Sequence, residues 1–404
     1  MKISALKSDI FLISLAIFCQ CFSYADWYFI KTIFDVVDAK HAHLVIDDFL
    51  PYWFLIYFIG KLAGTYCFGK MTQSFSYFKI TRFISFIYLA AVFLILVVLV
   101  RGQDFYSSYQ TLYCACFLTS LPFYALTILS AMHLFDRHPS SQHIIIGTSI
   151  VFAIFSSRII FRCLMNAVSH KYLIFSCIFT ALITCLSLFI YAYVEKHSST
   201  SHETIQKPSP FSFVQKLNCA FIGAGWNLGF SYYHYSLDPY MKNIYVIDHY
   251  TIGGTSICFI AQLLGLIPAI AICKKFGVLK TFTVSLCCML VLGTLMPFVG
   301  LTKESYLLLQ CVLGFFSACG FAPILMLLYS YYQNTKNLFA TLFSFAIGVT
   351  ISTLIFSIIP HFTNSLGFSF GGMVVFIVCV LLSLIGANAI HLQKITKINT
   401  KLAA

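Results

Sequence analysis

The sequence predicts an all-α polytopic membrane protein of twelve spanning helices in two six-helix bundles. Three observations carry this. The 404 residues are 60% hydrophobic and only 9% charged. Apolar runs of about 20 residues, the length of a spanning helix, recur from residue 10 to residue 391. One long polar stretch, 195–216, divides these runs six from six.

In order, the runs cover 10–30, 50–70, 82–100, 110–134, 144–166 and 172–194, then 216–236, 251–273, 279–299, 305–330, 339–360 and 369–391. The basic start of the first resembles a signal peptide, but no small-residue cleavage site follows, so it reads as a spanning helix. The polar stretch is rich in Ser, with Pro208 and Pro210, and reads as a flexible linker. The expected organisation is a bundle over 1–194, a cytoplasmic linker over 195–215, a second bundle over 216–393 and a cytoplasmic tail over 394–404. Two joined halves of six spans are the parallel repeat of secondary transporters, whose sites lie between repeats near the midplane.

Net charge +12 follows from topology rather than from nucleic acid. With the N-terminus inside, sixteen of the 25 Lys and Arg fall in loops on that side and six on the other. That asymmetry places both termini in the cytoplasm. The sixteen Cys are mostly strewn through apolar runs, where Cys packs as a small hydrophobe. Cys114 and Cys116 are too close for a zinc pair, and no His/Cys cluster completes a site, so no metal and no cofactor is expected. No phosphate-cradling Gly-x-x-x-x-Gly-Lys-Ser/Thr run occurs, which argues against an ATP-driven pump. The spans hold no nucleophile–base pair, so the chain does not read as an enzyme.

Three charges stand deep in the apolar runs: Asp26, Lys61 and Arg158. A charge at bilayer depth costs at least about 2.5 kcal/mol on insertion scales and marks a candidate site. Asp26 comes roughly 24 Å along the first span, toward its outer half. Lys61 is mid-way along the second, which runs back inward. One loop joins the two spans, so these opposite charges are able to meet. Asp26 then reads as a proton site with Lys61 as partner or substrate anchor; a pair that only fixes helix register is the other reading. Arg158 and Arg162 share a face of the fifth span. Arg162 is near enough to its outer end to snorkel. Lys61 and Arg158 outnumber the one deep acid, and a guanidinium matches a carboxylate with two parallel bonds; an Arg158 that bonds backbone carbonyls, or lies nearer the surface, is the other reading. In the seventh span, Asn227 is deep enough to face a cavity, while Tyr232 and its neighbours suit an interfacial belt or an aromatic pocket for a quaternary ammonium. His133 and His234 lie near span ends and are expected at the interface. Gln262 and Pro268 in the eighth span and Pro323 in the tenth mark possible kinks.

Two basic turns occupy matching places in the halves: Gly69-Lys70-Met71-Thr72-Gln73 onward and Cys273-Lys274-Lys275-Phe276-Gly277 onward. Here the chain resembles the major facilitator superfamily, whose marker turn is Gly-x-Leu-x-Asp-Arg-x-Gly-Arg-Arg. Gly69 matches its start and Gly277 its later part. Gln73 and Lys274 stand at the acidic position, so the charge relay of these gating turns is lost. Further pieces resemble the branch of proline/betaine, α-ketoglutarate and citrate symporters. Ala25-Asp26-Trp27-Tyr28-Phe29 is similar to Glu-Trp-Tyr-Asp-Phe. Ile59-Gly60-Lys61-Leu62-Ala63-Gly64 through Gly69 is similar to Arg-Pro-Leu-Gly-Gly-x-x-Phe-Gly. Tyr235–Met241 is similar to Tyr-Leu-Pro-Thr-Tyr, and Phe345-Ala346-Ile347-Gly348-Val349 to Tyr-Asn-Ile-Gly-Val.

The resemblance implies a major facilitator fold and solute uptake by proton symport across the bacterial inner membrane. The expected partners are a small-molecule solute bearing a carboxylate or zwitterion, protons and the lipid bilayer; nucleic acid is not among them. The architecture does not require an oligomer, so a monomer is expected. The rival is a membrane sensor that binds a solute without moving it, for which Gln73 and Lys274 are the best evidence.

Overall fold

The computed structural model describes residues 9–19, 50–101, 105–121, 123–166, 173–197, 210–226, 254–295, 303–335, 337–363 and 370–402. Among them are thirteen α-helices and no strand. We number them α1 (Asp9–Cys19), α2 (Leu50–Met71), α3 (Tyr77–Arg101), α4 (Phe105–Ser120), α5 (Phe123–Arg137), α6 (His143–Asn166) and α7 (Leu173–His197). Then come α8 (Phe213–Trp226), α9 (Gly254–Phe276), α10 (Val278–Leu295), α11 (Lys303–Thr335), α12 (Leu338–Thr363) and α13 (Phe370–Leu402).

The helices fall on all twelve apolar runs, with the fourth divided into α4 and α5. Leu121 is a turn residue, and its successor Pro122 lacks the N–H an unbroken helix needs there. Among the described residues six helices carry stretches long and apolar enough to cross a membrane, and α1, α12 and α13 carry shorter ones. Large apolar side chains stand on the outer faces, such as Phe93 and Phe189, the latter 73% exposed. In water such a surface would be an aggregation liability; in lipid it is the solvated face. Inside, several buried hydroxyls are satisfied by the helix that bears them. Thr65, Ser85, Ser157 and Thr184 each donate to a carbonyl three or four residues back.

The polar stretch between the halves is shorter than its composition indicates. α7 continues to His197, and Glu195 on its last turns accepts from Arg82 of α3, Nη2 to Oε2 2.7 Å. At the other end α8 opens with a capping box. The Ser212 amide donates to Gln215 Oε1 at 2.9 Å, and the Gln215 amide donates to Ser212 Oγ at 3.2 Å.

The chain divides into two compact units, Met1–Pro139 with Ser149–Ile205, and Ser140–Thr148 with Gln206–Ala404. Their internal pairings match. In the first, α2 packs on α4, and α3 on α4 and α7; in the second, α9 packs on α11, and α10 on α11 and α13. These are the same spans counted from the start of each half, which is what a parallel repeat requires.

Candidate functional site

The site begins with the glycines of α2. A Cβ at Gly60 would fall 1.9 Å from Ser120 Oγ, and one at Gly64 only 1.8 Å from the Leu121 carbonyl oxygen. The two glycines, one turn apart, bring α2 into backbone contact with the end of α4, as small residues do between membrane helices. Lys61 sits between them and is 6% exposed.

Helical side chains lean toward the preceding turn, and Lys61 Nζ accordingly lies 4.0 Å from the ring centre of Tyr57 and 4.9 Å from that of Phe58. Those rings meet edge to face at 5.7 Å and are themselves buried. Thr65 Oγ1 donates to the Lys61 carbonyl at 2.7 Å. A desolvated cation over aromatic faces gains about 2 kcal/mol. Lys61 Nζ is thus buried over two aromatic rings, half-way along α2.

Asp26, Asn227, Tyr232 and His234 lie outside the described residues. Arg158 is on α6, and its side chain, like that of Arg162, is also outside them. The turn before Arg158 is polar and buried, with Ser156 donating to the Phe152 carbonyl and Ser157 to the Ile154 carbonyl. In the two basic turns, Gly69 is buried at the end of α2, Gln73 is exposed in the turn, and Lys274 is exposed at the end of α9. Gly277 has φ of 86°, a left-handed conformation that favours glycine, and by itself joins α9 to α10.

The second unit repeats the crossing without the charge. Gly265 is eleven residues before the end of α9, as Gly60 is before the end of α2. It packs on Phe315 and Ala318 of α11, as Gly60 packs on Phe117 and Ser120. Lys61 then corresponds to the buried Leu266, and Tyr57 to Gln262. Gln262 is 1% exposed; its Nε2 donates to Ser317 Oγ at 2.9 Å. Gly348, inside the stretch resembling Tyr-Asn-Ile-Gly-Val, meets the Ala220 carbonyl of α8, and Gly223 of α8 meets Phe345 in return.

Of the two prolines, Pro268 is on the exposed face of α9, beside Ile267. Pro323 is buried in α11; one turn before its ring clash, Ser285 of α10 donates to the Phe316 carbonyl, with Gly320 leaving room.

His133 lies one turn before the end of α5. It is buried against Tyr77 and Phe78, because α3, α5 and α7 converge there; Tyr77 OH pairs with Ser130 Oγ at 2.6 Å, and Tyr191 meets the Tyr77 ring edge on. Nothing in the sequence spacing signals this cluster. The Gly60–Gly64 spacing, by contrast, was a legible sign of a close helix crossing.

No protein-family model matches the chain, and no curated protein matches it by sequence. Solved structures do. The chain is similar to a bacterial homologue of the iron transporter ferroportin in its outward-facing state, at TM-score 0.73 and 14% identity, covering 96% of this chain and 99% of that one. The same homologue with soaked iron gives 0.73 and 15%, with the same coverage. A double Trp mutant of XylE gives 0.74 and 12%, covering 95% and 94%. The fold is therefore that of the major facilitator transporters.

Proposed function

We propose that the protein is a secondary active transporter of the bacterial inner membrane, moving a small carboxylate-bearing or zwitterionic solute by alternating access with proton symport. The observation that carries this is Lys61, a cation 6% exposed at mid-helix and held between Tyr57 and Phe58. A buried charge is costly, and a chain that keeps one at that depth has a use for it. Likeness to transporter structures across nearly the whole chain supports the same reading.

Asp26 is the proton site and Lys61 its partner or the solute's anchor. Arg158 supplies a planar fork for a carboxylate, and Asn227 and Tyr232 line the solute's path. Gly69, Gln73, Lys274 and Gly277 form the cytoplasmic turns that move as the units rock, and both termini are cytoplasmic. Iron is named for one of the similar structures. Lys61 and Arg158 argue against a divalent cation as cargo here, since two fixed cations repel it.

A thermal-shift screen of the purified chain against carboxylates, amino acids and osmolytes tests the solute class, because a ligand of the folded state raises its apparent stability. Carboxylate hits should then accumulate in proteoliposomes under an imposed proton gradient. Arg158→Lys should weaken that uptake and Arg158→Gln weaken it more. Uptake of a purely cationic solute, unaffected by Arg158→Gln, would refute the reading. The exposed Gln73 and Lys274, which cannot rebuild an acidic relay, favour a second reading, a sensor. A sensor gives thermal shifts without accumulation.

A further inference from the structure

We propose that the α9–α10 turn is a binding site for anionic phospholipid headgroups. Gly277 alone joins two helices whose apolar stretches run Ile257–Phe276 and Val278–Leu295. A one-residue link between two membrane-length stretches can only stand where hydrocarbon gives way to water, at headgroup depth. Lys274, Lys275 and Lys280 are all exposed there.

These charges have no acidic counterpart in the chain around them. From residue 249 to the C-terminus the sequence holds a single acidic residue, Glu304. It begins α11, while the turn lies at the far end of α10 from that start. Lys280 is in the first turn of α10, where the helix dipole disfavours a cation and no acidic residue offsets it. α13 packs on α10.

Phe276 makes the patch a membrane contact rather than a water-facing one. It is 55% exposed, and Lys275 Nζ lies 5.4 Å from its ring centre. An aromatic ring at this level seats among headgroups, with the ammonium beside it at the phosphate. The matching turn of the first unit lacks this concentration. Lys70 and Lys79 flank a five-residue turn there, and the next cation, Arg82, is already paired with Glu195.

Titration of the detergent-solubilised full chain with phosphatidylglycerol, read as thermal stabilisation, tests the site. Phosphatidylglycerol should stabilise saturably and phosphatidylcholine should not. The triple variant Lys274→Gln, Lys275→Gln, Lys280→Gln should bind roughly fivefold more weakly for each lysine removed. The triple Lys→Arg variant should bind as the native chain does, and Lys70→Gln with Lys79→Gln should have little effect. Full stabilisation of the triple Gln variant overturns the proposal, as does equal stabilisation by phosphatidylcholine. Equal stabilisation by inorganic phosphate through the same lysines would make this a free-anion site and refute the lipid.

Discussion

The Tyr77 ring lies flat on the imidazole of His133, centroids 4.3 Å apart and planes 8° apart. Tyr77 is the first residue of α3, immediately after the turn that follows α2. The marker turn that this part of the chain resembles has an acidic residue where Gln73 stands, and Gln73 is exposed. The stack, the Tyr77–Ser130 hydrogen bond and the edge contact with Phe78 hold the start of α3.

The stack and the hydrogen bond are separable. Tyr77→Phe keeps the ring and removes the hydroxyl, and should cost about 1 kcal/mol. Tyr77→Leu should cost more, and its cycle with His133→Leu should give a coupling of about 0.5–1.5 kcal/mol. Denaturant unfolding in mixed micelles measures both; additive costs would mean the rings pack independently.

Glycine at position 348 is there for space, and at 277 for conformation. A Cβ at Gly348 would come within 1.8 Å of the Ala220 carbonyl oxygen, whereas one at Gly277 meets nothing within 4 Å. Gly348→Ala should therefore force α8 and α12 apart at a cost of about 1–3 kcal/mol. Gly277→Ala should cost about 1 kcal/mol, through left-handed strain alone. Gly277→Asn should recover part of that, while Gly348→Ser should be no better than Ala. Melting temperatures of the four variants decide it.

Arg82 and Glu195 are 39% and 29% exposed, so their pair is well screened by water. Breaking it by Arg82→Gln should cost under about 1 kcal/mol, and the cost should shrink further in high salt. A loss much larger than this, independent of salt, would show that the pair does more than close the end of α7 on α3.

The two deep charges of opposite sign should be coupled. Asp26→Asn strands the buried cation, and adding Lys61→Gln should restore part of the lost folding or uptake. If the two changes simply add, the charges never meet. The orientation has its own check: a single Cys at position 199 should react with an impermeant reagent only in inverted vesicles.

The twelve apolar runs were legible because burial in lipid needs long, uninterrupted apolar helices, and nothing else in the chain competes with that signal. Their ends were less so. α3 begins at Tyr77, five residues before its run is apolar enough to notice, since Phe78 and Thr81 are buried and Tyr77 pairs with Ser130 of α5. The fourth run divides after Ser120, next to a proline in the sequence, as apolarity alone does not reveal. Lys61 was conspicuous as a lone charge in an apolar run, and its side chain is buried. Its aromatic neighbours were readable too, three and four residues back on the same helix. The partners of His133 were not legible, because they are on α3, 56 and 55 residues away in the chain, and no local pattern encodes such a distance.

The glycine crossings have a mechanical consequence. Where Gly60 and Gly64 meet α4, and Gly265 and Gly314 join α9 to α11, main chain rests on or beside main chain, with few soft rotamers in between to absorb a push. A strut assembled this way has little slack. Within each unit these helix pairs are therefore built to shift together rather than to slide past one another.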